Sequence, residues 1–587
     1  MAGGLLNLVA YGNQNVILNS NPKKTFFKAT YAKYTNFGLQ KFRIDFDGQK
    51  NLRMSEDSKF TFYIPRYAEL LMDTYLVVTL PNIWSPVLPP TACNESWTPY
   101  EFKWIENVGT QIIKEITISV GGQTLQKITG SYLLAITQRN FNGTQRDLYN
   151  RMTGNIPELN NPAYSSTNNG RYPNAFYNYT NNPAGIEPSI RFRQLYIPIN
   201  AWFTMSSKMA FPLVALQYNT LQIDITLRPV RDLFVIRDVS NPATGTATAA
   251  PSTMNMDPPY FPEYVTPNYI QPNFNDNLQQ FYRFIQQPPN VQLDYGNSTR
   301  SDWNADVHLM STYCFLSGDE AKQFATMPQQ YLIKSVYEWN YENVTGSRRV
   351  WLQSTLGMVS SWMFFFQRSD AYLRNEWSNY SNWAYNYRPV GLIPAPQDLA
   401  PDPTSVCPWT PPPCDDPPSI VGCYGPGWNP ALNEPTGYFM TQAFSVENQK
   451  DILLNLGILL DGKYRENVLD AGIYNYLEKY TSSRGSAPDG LYCYNFCLNT
   501  EPTDFQPSGA INASKFSTIE LEFTTFYPPL DPSANFLTIC DPLTQIPIGV
   551  NKPTWRIYDY NYNLTVLEER FNMLTFVGGN CGLMYAR

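Results

Sequence analysis

Histidine is the side chain most often used for proton transfer and metal binding near neutral pH. This 587-residue chain has one, His308. That count excludes an HExxH zinc site, a His-rich iron site and any Ser-His-Asp triad built away from residue 308. The segment Asn-Ala-Asp-Val-His-Leu-Met reads as a strand placing Asp306, His308 and Met310 on one face, where a structural or surface histidine is expected. Carboxylate pairs are the remaining acid–base chemistry. Glu568 and Glu569 are adjacent and point to opposite faces of an extended segment, and Asp415-Asp416 reads as a solvated loop. Asp559, Asn561 and Asn563 have the spacing of a calcium loop, but Leu564 stands where glycine is needed and Arg570 at the twelfth position, so a strand is expected. Gly462-Lys463 is followed by Tyr464 and lacks the upstream glycine of a phosphate loop, and no G-x-S-x-G elbow occurs. No catalytic, cofactor-binding or metal-binding residue is therefore assigned.

Nine cysteines at irregular spacing do not form a disulfide framework. Cys493 and Cys497 in LYCYNFCLNT would sit on one face of a strand, roughly 13 Å apart at about 3.3 Å per residue, beyond the reach of a disulfide. Cys407, Cys414 and Cys423 fall in a proline-rich loop, where free thiols are favoured over a clip. Lys23-Lys24 and Arg348-Arg349 are the adjacent basic pairs in a chain of net charge −7, which argues against a nucleic-acid partner. Eight N-x-S/T sequons stand at Asn94, Asn142, Asn178, Asn297, Asn343, Asn379, Asn512 and Asn563 and are candidate glycosylation acceptors. They would matter only for a chain that meets glycosylation machinery, and the N-terminus shows no secretory signal. A cytosolic origin is expected, with no apolar run long enough to span a bilayer.

The elements that would carry such residues are mostly strands. Charged residues make up 16% and aromatic residues 15% of the chain, and proline (48 residues) is abundant, a balance that favours strands broken by turns. Lys41 to Phe46, Leu221 to Leu227 and Ile519 to Phe523 alternate apolar and polar residues. Glu115 to Val120 does the same and meets Gln123 to Thr129 across Gly121-Gly122, a hairpin signal because glycine tolerates the positive φ of a tight turn. Strands with one apolar face belong to sheets packed face to face. Two short helices are predicted. One starts at N-cap Ser317, with Glu320 completing a capping box and Pro328 ending it; the other covers about Asn467 to Tyr480. Long polar loops occupy 140–190, 238–300 and 370–438, and 240–259 is the best linker. The resulting division is an arm at 1–24, a β-rich unit at 25–237, a linker and inserted loop at 238–302, and a second β-rich unit at 303–587.

Six strings carry more than composition: GGLLNLVAYGNQNVILNSNPKKTFFKATYAKYTNF, YIPINAWFTMSSKMAFPLVALQYNTLQIDI, RSDWNADVHLMSTYCFL, SSWMFFFQRSDAYLRNEWSNYSNW, FQPSGAINASKFSTIELEF and FVGGNCGLMYA. Together, in this order from residue 3 to residue 586, they resemble the major capsid protein of nucleocytoplasmic large DNA viruses, with the third and fourth closest to its mimivirus-like branch. The Ala/Thr-rich linker near 245 and the Cys/Pro loop 401–430 depart from the family pattern.

The resemblance implies an all-β fold of two consecutive eight-stranded antiparallel jelly rolls, with long loop insertions and a few short connecting helices. It further implies a non-enzymatic structural protein with no cofactor, three chains forming a pseudo-hexagonal capsomer, and capsomers tiling an icosahedral virion shell assembled in the host cytoplasm. The implied partners are other copies of the chain, minor capsid and penton proteins, and an internal membrane nearby, with no direct nucleic-acid contact. The arm and the strings Gln506 to Asn512 and Val577 to Gly582 are expected to fix chain ends at contacts between copies. A minor capsid or spike protein of the same fold is the alternative, followed by a carbohydrate-binding or carbohydrate-cleaving β-sandwich suggested by the abundant Trp and Tyr.

Overall fold

The computed structural model describes residues 3–48, 50–85, 100–165, 187–238, 269–286, 302–352, 357–386, 449–504, 506–531 and 556–585, with short pieces between them. Sixteen strands build its frame. The first eight are β1 (Phe37–Asp45), β2 (Ser58–Tyr63), β3 (Leu70–Leu80), β4 (Ile113–Val120), β5 (Gln123–Thr129), β6 (Arg193–Pro198), β7 (Leu221–Leu227) and β8 (His308–Leu316). They form two facing sheets, ordered β1-β8-β3-β6 and β2-β7-β4-β5. The second eight are β9 (Gln329–Tyr341), β10 (Ser347–Trp351), β11 (Met358–Arg368), β12 (Leu453–Leu460), β13 (Lys463–Asp470), β14 (Leu491–Asn495), β15 (Ile519–Thr525) and β16 (Tyr562–Val577). Their sheets run β9-β16-β11-β14 and β10-β15-β12-β13, the first order with eight added to every number. The chain is thus two jelly rolls of identical topology, a duplication the sequence does not display as a repeat.

Alternation explains the strands that were legible beforehand. β7 and β15 each bury every second residue, as Leu221, Ile223, Ile225 and Leu227 and as Ile519, Leu521 and Phe523 do, while the residues between them stay half-buried. Each fully buried aliphatic side chain contributes about 1.5–3 kcal/mol, so a one-residue slip would cost the whole set. The β4–β5 hairpin turns at Gly121 (φ 58°) and Gly122 (φ 81°), and a bulge follows Ile118. β1 begins earlier than its alternating stretch and ends one residue before Phe46.

Five sequence expectations are changed. The boundary at 303 does not divide the sheets: Asp302–Asn304 pairs with Asn51–Arg53, and β8 pairs with β1 and β3, so residues 302–316 complete the first jelly roll. The second begins only after a connecting helix, Gly318–Thr326. That helix starts at Ser317 and stops before Pro328 as expected, but the Ser317 side chain makes no capping bond; its carbonyl accepts from the Ala321 N–H. Residues 467–470 belong to β13, with helical turns following only at Ile473–Leu477 and Glu478–Ser482. Within the expected 140–190 loop lies a helix, Gly143–Thr153, whose Asn142 cap is reciprocated by Gln145. Its neighbour α1 (Gly130–Asn140) is buried throughout except at Ser131, so it shows no amphipathic stripe to read. In LYCYNFCLNT the strand ends at Asn495, and Cys493 and Cys497 are both buried free thiols.

Every pairing within the four main sheets is antiparallel, so strand direction alternates along the chain and connections after odd-numbered strands share one end. The long connections 81–112, 130–192, 228–307, 369–452, 471–490 and 526–561 all follow odd strands. Those after β2, β4, β10 and β12 are short, and those after β6 (199–220) and β14 (496–518) match only the shortest of the long ones, 471–490. Each jelly roll therefore has a long-loop end and a short-loop end.

Candidate functional site at the jelly-roll junction

The most heavily buried polar chemistry lies between the two jelly rolls. α1 leaves β5 at the long-loop end and lies on the outer face of β9-β16-β11-β14. Ile333, Met363, Phe365, Leu491 and Leu567 of the second jelly roll join the same buried core as Tyr132, Leu133, Ala135 and Ile136 of α1. At the centre, Arg139 (0% exposed) reaches Glu569 (1% exposed) through Nη2, 3.0 Å from each carboxylate oxygen. Tyr132 Oη donates to the same carboxylate at 3.0 Å and Ser361 Oγ at 2.6 Å, while Arg139 Nη1 donates to Ser361 at 3.2 Å. Burial opposes ionisation of Glu569, but the guanidinium, the more distant Lys334 and these donors outweigh it and hold the carboxyl down at about 2. The edge strands meet beside this cluster: Gln126 of β5 donates to the Lys334 carbonyl of β9 at 3.2 Å, and Thr129 to Glu338 at 2.6 Å.

Contacts at both ends also fasten the units. At the long-loop end Asn375, in the left-handed region at φ 52°, donates to the carbonyls of Arg231 and Phe234, both at 2.8 Å; Trp377 Nε1 donates to the Asp232 carbonyl at 3.0 Å. At the short-loop end the Gln217 N–H donates to the Gly579 carbonyl at 3.1 Å, and Asn219 to Asn580 at 2.9 Å. These contacts place both long-loop ends on the same side. The Val577 to Gly582 string, expected at contacts between copies, makes this within-chain contact, and Ile511–Asn512 pairs with β11.

The residues with acid–base or metal-binding chemistry are dispersed. His308 is buried in β8 with Nδ1 2.7 Å from the Asp306 carbonyl, and burial lowers its pKa. Asp306 has φ 47°, so it precedes the strand rather than sharing its face, and it forms an ion pair with Arg43 at 2.7 Å. Glu568 and Glu569 do face opposite ways: Glu568 accepts from Trp362 Nε1 at 2.8 Å and pairs with Arg570 on the inner side. Among the described residues no three His, Cys, Asp or Glu side chains are grouped to hold a metal, and no helix is long and apolar enough to cross a membrane.

Of the sequons, Asn142 and Asn343 are exposed, while Asn512 and Asn563 are half-buried. Asn379 is 4% exposed and its Nδ2 donates to the Trp383 carbonyl, leaving no space for a glycan on the folded chain. Asn94, Asn178 and Asn297 lie outside the described residues, as do Cys407, Cys414, Cys423 and Asp415-Asp416. Arg139, Tyr132 and Ser361 were not singled out by the sequence. The one available signal was a basic residue three positions after the apolar run Tyr132–Ile136 of α1.

Comparison with known proteins bears on what such a pair of jelly rolls is for. Residues 25–270 match the family described as "Major capsid protein N-terminus" and residues 320–582 that described as "Large eukaryotic DNA virus major capsid protein". The major capsid protein of Chrysochromulina ericina virus is 27% identical over 59% of this chain and 54% of its own length. Capsid protein 1 of Acanthamoeba polyphaga mimivirus is 27% identical over 59% of this chain and 45% of its own. The chain thus spans about half the length of these curated relatives. The major capsid protein of Paramecium bursaria Chlorella virus 1 aligns over the whole of both chains at 22% identity. In structure, the Faustovirus major capsid protein superposes with a TM-score of 0.54 at 13% identity, covering 94% of this chain and 93% of its own, which speaks for a shared double jelly-roll fold. With both halves of the chain matched in order and the fold in agreement, the chain belongs to the family of major capsid proteins of large eukaryotic DNA viruses.

Proposed function

We propose that the chain is the repeating tile of an icosahedral virion shell, three copies closing into a pseudo-hexagonal capsomer. The carrying observation is the junction itself. It joins non-equivalent surfaces: α1 and β5 of one jelly roll against the outer face of β9-β16-β11-β14 of the other. Such a head-to-tail contact between two units of identical topology generates a ring if it repeats with closure, and six units turning by about 60° each close with three chains. The shared direction of the long loops gives the ring one variable face and one short-loop face. Lateral contacts between rings can then be individually weak, because many act together in a shell. Minor capsid and penton proteins, and a membrane beneath the shell, are the partners this reading assigns. The role is mechanical, with no catalytic step. Electron microscopy of the purified full chain tests it: hexagonal plates with threefold symmetry are expected, and a field of separate two-lobed particles at micromolar concentration would contradict it.

A further inference from the structure

The within-chain junction has two sides, and each jelly roll has the parts for both. The first jelly roll contributes α1 and edge strand β5; the second contributes edge strand β9 and the outer face of its four-stranded sheet. The corresponding parts not used in that junction are the helical turns Ile473–Leu477 and Glu478–Ser482 with β13, and β1 with the outer face of β1-β8-β3-β6, of which only the end at Leu70 and Cys314 is covered, by Phe324 of the connecting helix.

Their surfaces differ from the used ones as unpartnered halves should. α1 is buried except at Ser131, whereas in the helical turns after β13 Tyr476 is 56%, Leu477 57% and Tyr480 90% exposed. β5 buries Leu125, Gln126 and Ile128, whereas all of β13 is exposed except Glu466 and Leu469, which are half-buried. On the receiving side, β9 is half-buried along most of its length, whereas β1 exposes Phe37 (51%) and Leu39 (55%), two apolar residues on the outward face. Met310 and Tyr75 lie half-buried across the same outer face, and Tyr196 is 40% exposed at its far side. Aromatic and aliphatic side chains left open at equivalent positions on both halves are what a desolvated interface core requires.

We infer that the helical turns at Ile473–Leu477 and Glu478–Ser482, through Tyr476, Leu477 and Tyr480, dock on the outer face of β1-β8-β3-β6 in a second copy of the chain, around Leu39, Met310 and Tyr196. The occupant is a second copy because its template, α1 on the matching sheet, is already buried inside the chain. This inference rests on the threefold reading and adds the surfaces that make it. The buried ion pair of the inner junction has no equivalent here: Thr312 and Met310 occupy the outward side of β8 where Glu569 occupies that of β16. The charges on this face, Lys41 and Arg43 of β1, are exposed at its edge, with Arg43 already paired to Asp45 and Asp306.

The test uses the full chain with two variants, Tyr476→Asp/Tyr480→Asp on the docking side and Leu39→Asp on the receiving side. These side chains are exposed in the single chain, so each variant should keep the parental melting profile and circular dichroism. Native mass measurement should show the parent as trimer, each variant alone as single chains, and an equimolar mixture of the two as dimers of about 134 kDa, twice the chain mass, because one intact junction remains and no ring can close. Trimers persisting in both variants would overturn the inferred surfaces while leaving the threefold reading in place. A parent that does not trimerise would instead remove the reading beneath it. A mixture that re-forms trimers would exclude a head-to-tail contact through these residues.

Discussion

Replacing Glu569 by Gln keeps the side-chain volume and one carbonyl oxygen but leaves the Arg139 guanidinium, 0% exposed, without its counter-charge. Removing one member of a buried pair costs about 3–5 kcal/mol, because the surviving charge has neither water nor partner. For a unit the size of one jelly roll this is a fall of roughly 6–10 °C in melting temperature. The acid response gives an independent measure. The folded carboxyl is held at about 2 against an ordinary value of 4.5, so the unfolded chain binds the proton first as pH falls. The resulting stabilisation, about 3 kcal/mol, is fully present above pH 4.5 and is lost as pH drops towards 2. Thermal melts of parent and Glu569→Gln at pH 7 and at several values below 4.5 should diverge at neutral pH and converge in acid. The double variant Arg139→Met/Glu569→Leu, which fills the same space without charge, should recover most of the loss. A single variant within about 0.5 kcal/mol of the parent at pH 7 would refute the assignment of this pair as the centre of the junction.

Other outcomes follow from single contacts. Gly485 sits where an added Cβ would lie 2.6 Å from the Arg139 backbone, so Gly485→Ala should push α1 off the second jelly roll and cost about 1–3 kcal/mol in a denaturant titration. Gly121→Val, at φ 58° and with a Cβ 2.7 Å from Asn219, should destabilise the β4–β5 hairpin by about 1–2 kcal/mol, read by the same titration. Burial depresses the His308 pKa below 6.5, so the neutral ring's contribution is present above pH 6.5 and fades as pH falls through it; His308→Gln should flatten the parental loss of stability just below that pH. If the chain is expressed through a secretory pathway, peptide mass analysis should find glycan at Asn142 or Asn343 and none at Asn379 on folded material.

The parts of the fold that could be read in advance are those whose physics is local. β7 and β15 announce themselves because one face meets a core and the other does not, and the Gly121-Gly122 turn because its backbone needs positive φ. The parts that could not be read depend on distant partners. β8 belongs with β1 because Phe37 pairs with Leu316, a register no local pattern encodes. α1 loses its helical stripe because both of its faces are covered, and β13 shows little alternation because, in the single chain, only Glu466 and Leu469 are even half-buried. The junction was hidden for the same reason: Arg139 and Glu569 are 430 residues apart, and Glu569 read alone is merely one of two adjacent acids. The duplication lies in the order of strands in the sheets, a level at which sequence similarity need not survive. The family strings, by contrast, were visible at once, since they do not depend on the three-dimensional partners being known.

The claim that this chain builds a shell from closed rings is tested most directly by native mass spectrometry of the full chain across a concentration series. One dominant species of about 201 kDa, three times the chain mass, is expected to persist to low micromolar protein. Single chains of 67.1 kDa throughout, or an open ladder of dimers, tetramers and larger species without a preferred trimer, would contradict it.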